Sequence, residues 1–184
     1  MLKKEEKIYS LKLARKTLEN HFAGISEKII PPKEYKNLWE KRGVFVTLLK
    51  EGHLRGCIGT LEPIYPLYEA IQKMTLSSAF EDPRFAPLEA EELPLVEIEI
   101  SVLSPLKPGT VDEIEVGKHG VYLVKDYHRG VLLPQVPVEY GWDKKTFLEH
   151  VCLKAGLPPD CYKDSFAKIY LFTAEVFKES EFFK

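Results

Sequence analysis

The sequence predicts an α+β fold built on antiparallel sheets flanked by helices. Three observations carry this. Helical apolar stripes fall in segments of their own, two stretches read as β-hairpins, and residues 95–101 alternate apolar with polar. The order is helix, two strands, helix, strand, several strands, helix, strand, which is not the β-α-β alternation of a doubly wound parallel sheet.

Residues 4–22 place Ile8, Leu11, Ala14 or Arg15, Leu18 and Phe22 at helical spacing, with Gly24 as the stop. Pro31-Pro32 breaks the chain. Gly43 to Lys50 is β-branched and aromatic and reads as a strand; Glu51-Gly52 turns it back into a second strand, His53 to Gly59. A helix starts at Pro66, buries Leu67, Ala70, Ile71 and Met74, and ends near Phe80. Glu81 to Pro87 follows as a proline-stiffened loop.

In the next strand Val96, Ile98 and Ile100 share one face, and Glu97, Glu99 and Ser101 the other. Gly120 to Lys125 and Gly130 to Leu133 flank Asp126-Tyr127-His128-Arg129 as a second hairpin. Asp143 caps a helix that buries Phe147, Leu148, Val151, Cys152 and Ala155, with Gly156 just past its end. Ile169 to Phe177 is expected as one last long strand, apolar on both faces.

At 184 residues with 45% hydrophobic residues the chain can bury a sizeable core. A net charge of -2 with no dense basic stripe disfavours a nucleic-acid partner. No stretch approaches the ~20 apolar residues of a membrane span. The opening Lys-Lys-Glu-Glu-Lys run carries no apolar signal core, and three cysteines form an odd count without a CxxC pair. A cytoplasmic protein is expected.

The densest chemistry lies at 53–60. If the strand is regular, His53, Arg55 and Cys57 share a face while Leu54 and Ile58 point into the core. Gly56 and Gly59 would leave the Cys57 backbone approachable, for packing or for an anion near free amides. A nearby guanidinium would lower the thiol pKa. Two readings stand for Cys57: a small buried hydrophobe or a reactive thiolate. Two also stand for Arg55: an anion-binding group, or half of a salt bridge, for example to Glu97 or Asp82.

His119 precedes a strand, and Gln135 follows Pro134, which ends ladder pairing; the two could converge in a pocket or be simple turn residues. The candidate catalytic residues are therefore Cys57 and His119, and the candidate binding residues are His53, Arg55, Gly56, Gly59 and Gln135. No metal or cofactor is expected. HExxH, CxxC, GxGxxG, Walker and GxSxG patterns are absent, and a metal site from His53, Cys57 and His119 is disfavoured by their scatter.

The string Leu54-Arg55-Gly56-Cys57-Ile58-Gly59-Thr60 resembles the AMMECR-domain family, whose most recognisable motif is LRGCIG. Further matching segments occur in order: Ser78 to Phe85, Glu97 to Ser104, Lys118-His119-Gly120, Leu133 to Val136, and Gly141-Trp142. The resemblance spans nearly the whole chain, from the first strand to the region of Gly156. It implies a single domain, 1–184, of a larger and a smaller intimately packed lobe, each on an antiparallel sheet, with a cleft and no independent linker. It also implies action beside a Memo-like protein of the extradiol-dioxygenase type and a radical S-adenosylmethionine enzyme, as in the AmmeMemoRadiSam protein A type. No reaction comes with it. It favours the functional readings of Arg55 and Cys57, in an enzyme or ligand-binding component for an unknown small molecule; the alternative is a non-catalytic interaction adaptor.

Overall fold

The 51–52 turn sets the register of the first sheet. Glu51 and Gly52 both adopt positive φ, 52° and 77°, the conformation that lets a two-residue loop match the twist of its strands. It joins β1 (Val44–Lys50) to β2 (His53–Thr60), with Lys50 opposite His53. Strand β3 (Val96–Leu103) pairs with the other side of β1, and β8 (Ala174–Lys178) completes the order β2-β1-β3-β8. Val44, Val46, Leu48, Ile98 and Ile100 line the buried face. Helix α3 (Leu67–Phe80) packs against β1 and β2, and α1 (Lys4–Phe22) against α3 and β3. Residues 36–39 add one short turn, α2.

The computed structural model describes residues 1–184, which divide into two compact units. The first comprises 1–103 and 175–184, the second 104–174. The second is built on a sheet of order β4-β7-β5-β6: β4 (Lys107–Pro108), β7 (Lys168–Phe172), β5 (Gly120–Lys125) and β6 (His128–Leu132). Its core joins Val121, Leu123 and Leu171 to Phe147, Leu148 and Val151 of α5 (Lys144–Lys154). Asp143 caps α5 as expected, accepting a hydrogen bond from Thr146 N–H at 2.8 Å. A short helix, α4 (Val136–Tyr140), follows Gln135.

Two expectations need correction. The strand foreseen over 169–177 is two strands, β7 in the second sheet and β8 in the first. Between them Thr173 leaves the ladder: its N–H donates to Ser104 Oγ and its carbonyl accepts from Ser104 N–H, both at 2.8 Å. The odd cysteine count also conceals a Cys152–Cys161 disulfide, with Cys57 left as the free thiol. Inside cells such bridges are exceptional, occurring mainly in proteins of hyperthermophiles. Closing a nine-residue separation constrains the unfolded chain by roughly 2–3 kcal/mol. Cys161→Ser should therefore lower stability by about that amount in denaturant titration, with faster amide exchange concentrated at 104–174.

No helix is long and apolar enough to cross a membrane.

Candidate functional site

Strand β2 forms one edge of its sheet, and an edge strand exposes unpaired backbone groups. At Cys57 the loop after α3 covers them. Cys57 N–H donates to Asp82 Oδ2 at 2.9 Å, and Arg84 donates to the Cys57 carbonyl at 3.2 Å. Arg84 also donates to Asp82 through Nε at 3.0 Å and Nη2 at 2.8 Å. The Arg84 guanidinium, helped by the Cys57 and Arg84 amides, holds the buried Asp82 carboxyl far below the usual range despite its burial. On the core side, Ser78 Oγ accepts from Ile58 N–H at 2.8 Å and donates to Val46 O at 2.7 Å.

The regular alternation read for β2 fails at Arg55. Leu48 lies opposite Gly56 and Leu49 opposite Leu54, so Arg55 is the extra residue of a β-bulge. The bulge puts Leu54 on the same face as Cys57, and Leu54 is 42% exposed rather than in the core. Arg55 does not stand beside Cys57 as a free anion-binding group. It forms a fork onto Glu92, Nε to Oε1 and Nη2 to Oε2, both at 2.9 Å. Lys50 reaches the same Oε1 at 2.9 Å. Glu97 and Asp82, named as partners from the sequence, are engaged elsewhere, with Ser180 N–H and with Arg84. His53 is exposed at the turn.

The glycines are explained by packing. A Cβ on Gly56 would lie 2.1 Å from Ser78 O of α3, and one on Gly59 2.2 Å from the Phe45 ring. The amides of Cys57 and Ile58 already have partners, so they form no vacant anion nest.

What the motif does present is a row of side chains across three strands. Thr47 faces Cys57 on one side and Glu99 on the other, on the face opposite the core. Thr47 Oγ1 donates to Cys57 Sγ at 3.1 Å. Burial pushes the thiol pKa up; the Thr47 hydroxyl and Arg84 oppose this, and Asp82 and Glu99 add to it. Of the two readings of Cys57, this environment favours the neutral thiol, and Arg55, held by Glu92, is not among the groups that act on it. In the next row Gly59, Phe45 and Ser101 lie opposite one another, and the Ser101 hydroxyl is buried without a hydrogen-bond partner.

His119 and Gln135 belong to the second unit. His119 Nδ1 accepts from Glu115 N–H at 3.0 Å, which leaves Nε2 to carry the proton of the neutral ring. The ring lines a cavity of about 330 Å³ with Lys107, Glu113 and Thr173. Gln135 precedes α4, and its Oε1 is buried without a partner. The recorded partner of His119 is Glu115, not Gln135. No group of three or more His, Cys, Asp or Glu side chains is placed to hold a metal ion.

Thr47 and Glu99 were not singled out from the sequence. Counting back from the 51–52 turn pairs Thr47 with Gly56; only the bulge moves it opposite Cys57. The available signal was Thr47 itself, the lone polar side chain in Val-Phe-Val-Thr-Leu-Leu.

A family model described as AMMECR1 matches residues 11–177. A Thermococcus gammatolerans protein is 48% identical over 183 residues, covering 93% of this chain and 89% of that protein. A Methanothermobacter thermautotrophicus protein is 42% identical over 185 residues, covering 97% and 96%. The crystal structure of uncharacterized protein PH0010 from Pyrococcus horikoshii matches with a TM-score of 0.88 at 46% identity, covering 97% of this chain and 93% of that one.

Proposed function

This chain belongs to the AMMECR1 family, and from that premise we propose that it is a ligand-binding or enzymatic component whose working group is the latent Cys57 thiol. The observation that carries the reading is the Cys57–Thr47–Glu99 row. A thiol that merely fills space needs no hydroxyl at 3.1 Å and no salt bridge fixing its N–H and carbonyl. Here the main chain is held rigid, so the sulfur is presented at a defined point on a half-buried face. The ligand is a small molecule that meets this thiol, with Arg84, 54% exposed beyond its Asp82 pair, as the adjacent cation. The two units act as lobes of one domain, and the chain works with a Memo-like protein and a radical S-adenosylmethionine enzyme.

Thiol alkylation tests the reading. The rate for Cys57 should rise with pH through a midpoint above that of free cysteine, ~8.5. Thr47→Val should move the midpoint higher, because the hydroxyl favours the thiolate, and Glu99→Gln should move it lower, because the carboxylate opposes it. A midpoint equal to free cysteine and indifferent to both changes would remove the basis for a tuned thiol.

A second reading is the non-catalytic adaptor. It is favoured by how fully the motif satisfies itself: Arg55 on Glu92, Asp82 on Arg84, and both glycines under neighbouring atoms. If Cys57→Ser leaves cellular function and partner co-purification intact, the adaptor reading stands and the thiol reading falls.

A further inference from the structure

A different part of the first unit carries an amide that nothing in the protein satisfies. Near the C-terminal end of α1, Asn20 is only 8% exposed, yet its side chain makes no hydrogen bond in the structure. Its backbone carbonyl accepts from Ile25 N–H at 2.8 Å. Asparagine is a poor choice for a helix interior, since its side chain competes with the backbone for hydrogen bonds. The residue is buried but its amide atoms are open to the space in front of it, which makes what they face the question.

Asn20 faces a cavity of about 560 Å³ between α1, the loop 24–29 and α3. That volume lies in the range of small-molecule sites. Of the charged side chains around it, Lys28 is paired with Glu69 at 2.9 Å and Lys73 sits over the Tyr65 ring at 4.8 Å, which leaves Glu27 as a carboxylate without an ion pair. The wall is held in shape by Gln72, whose Oε1 accepts from Ile29 N–H at 3.1 Å while its Nε2 donates to Ile29 O at 2.9 Å. Gln72 thus grips the N–H and the C=O of one residue by its acceptor and donor together. Asn20 has the same pair of atoms and no protein group paired with them. Thr17, also lining the cavity, donates to Leu13 O and keeps its lone pairs as acceptors. Ile25, Ile29 and Leu76 supply apolar surface.

We infer that this cavity is a binding site for a neutral, flat heterocycle with an amide-type edge, read by the Asn20 side chain through an adjacent donor and acceptor. Bidentate pairing of an asparagine amide with an adenine edge is the familiar form of such recognition. The site is separate from the Cys57 row and stands or falls without it.

Backbone amide NMR on the full chain, titrated with adenine, uracil and nicotinamide, tests this, with purine as the control that lacks adenine's exocyclic donor. Adenine should shift resonances at 17–29 and 69–76 and bind at least about tenfold more tightly than purine. Asn20→Ala should erase that preference. Ile25→Lys, on an exposed loop where folding is not at stake, should weaken whichever of the three bind by placing a charge on the apolar wall. The inference is overturned if none of the three perturbs these residues. It is equally overturned if adenine and purine bind alike, or if binding is the same in wild type and both variants.

Discussion

Gly56→Ala is expected to cost about 3–5 kcal/mol, a large share of the stability of an ordinary domain. The added carbon would sit 2.1 Å from Ser78 O and 3.1 Å from Ser78 C, backbone atoms that no rotamer change can move aside. Relief would require α3 to back away from β2, which would break the Ser78 hydroxyl bridge between Ile58 N–H and Val46 O. Gly24 is the control: at φ 71° with nothing near its Cβ position, its replacement by alanine should cost only the left-handed backbone penalty, about 1 kcal/mol. Thermal melts of the two variants decide the matter. A Gly56→Ala protein that melts with wild type would mean that α3 does not lie where the structure puts it.

This contrast also bears on what the LRGCIG string encodes. Hydrophobic periodicity shows α1, α3 and α5 plainly, because each helix buries a stripe whose spacing is local. The 51–52 hairpin is legible for the same reason: its turn chemistry lies within two residues. The arrangement around Cys57 depends on matters that no short window contains. Arg55 reads as one more alternating residue, and only its accommodation as a bulge decides that it meets Glu92, 37 positions away, while Cys57 meets Thr47. The glycines look like openings in a strand, yet each is filled by an atom from another element. Residues 169–177 look like one strand because nothing in Thr173 stops a strand; the break comes from its pairing with Ser104, distant in sequence. Cys152 and Cys161 lie on opposite sides of a helix end, and the chain reversal after Gly156 brings their Cα atoms to 5.8 Å.

The Arg55–Glu92 pair sets the second large effect, and it is a pH effect. Glu92 accepts the Arg55 fork, the Glu89 amide and Lys50, and is held at about pKa 2 although burial pushes the other way. A carboxyl depressed in the folded state stabilises the protein fully above its unfolded value, ~4.3, and loses that contribution as pH falls toward 2. At roughly 1.4 kcal/mol per pKa unit the contribution is of order 2–3 kcal/mol, Glu92 being 15% exposed and little screened. Arg55→Ala should therefore destabilise the chain by about 3 kcal/mol at neutral pH, because it strands a half-buried carboxylate beside a single lysine. It should also move acid unfolding upward in pH, since Glu92 then protonates nearer its ordinary range. Glu92→Gln in the same background should restore part of the loss, as the stranded charge is gone. The chief competing role for Arg55 is contact with an anionic ligand, and that role predicts the reverse pattern: little change in stability at any pH, with binding abolished. Equal acid-unfolding midpoints for wild type and Arg55→Ala would release the guanidinium from Glu92 and return it to the list of ligand-binding groups.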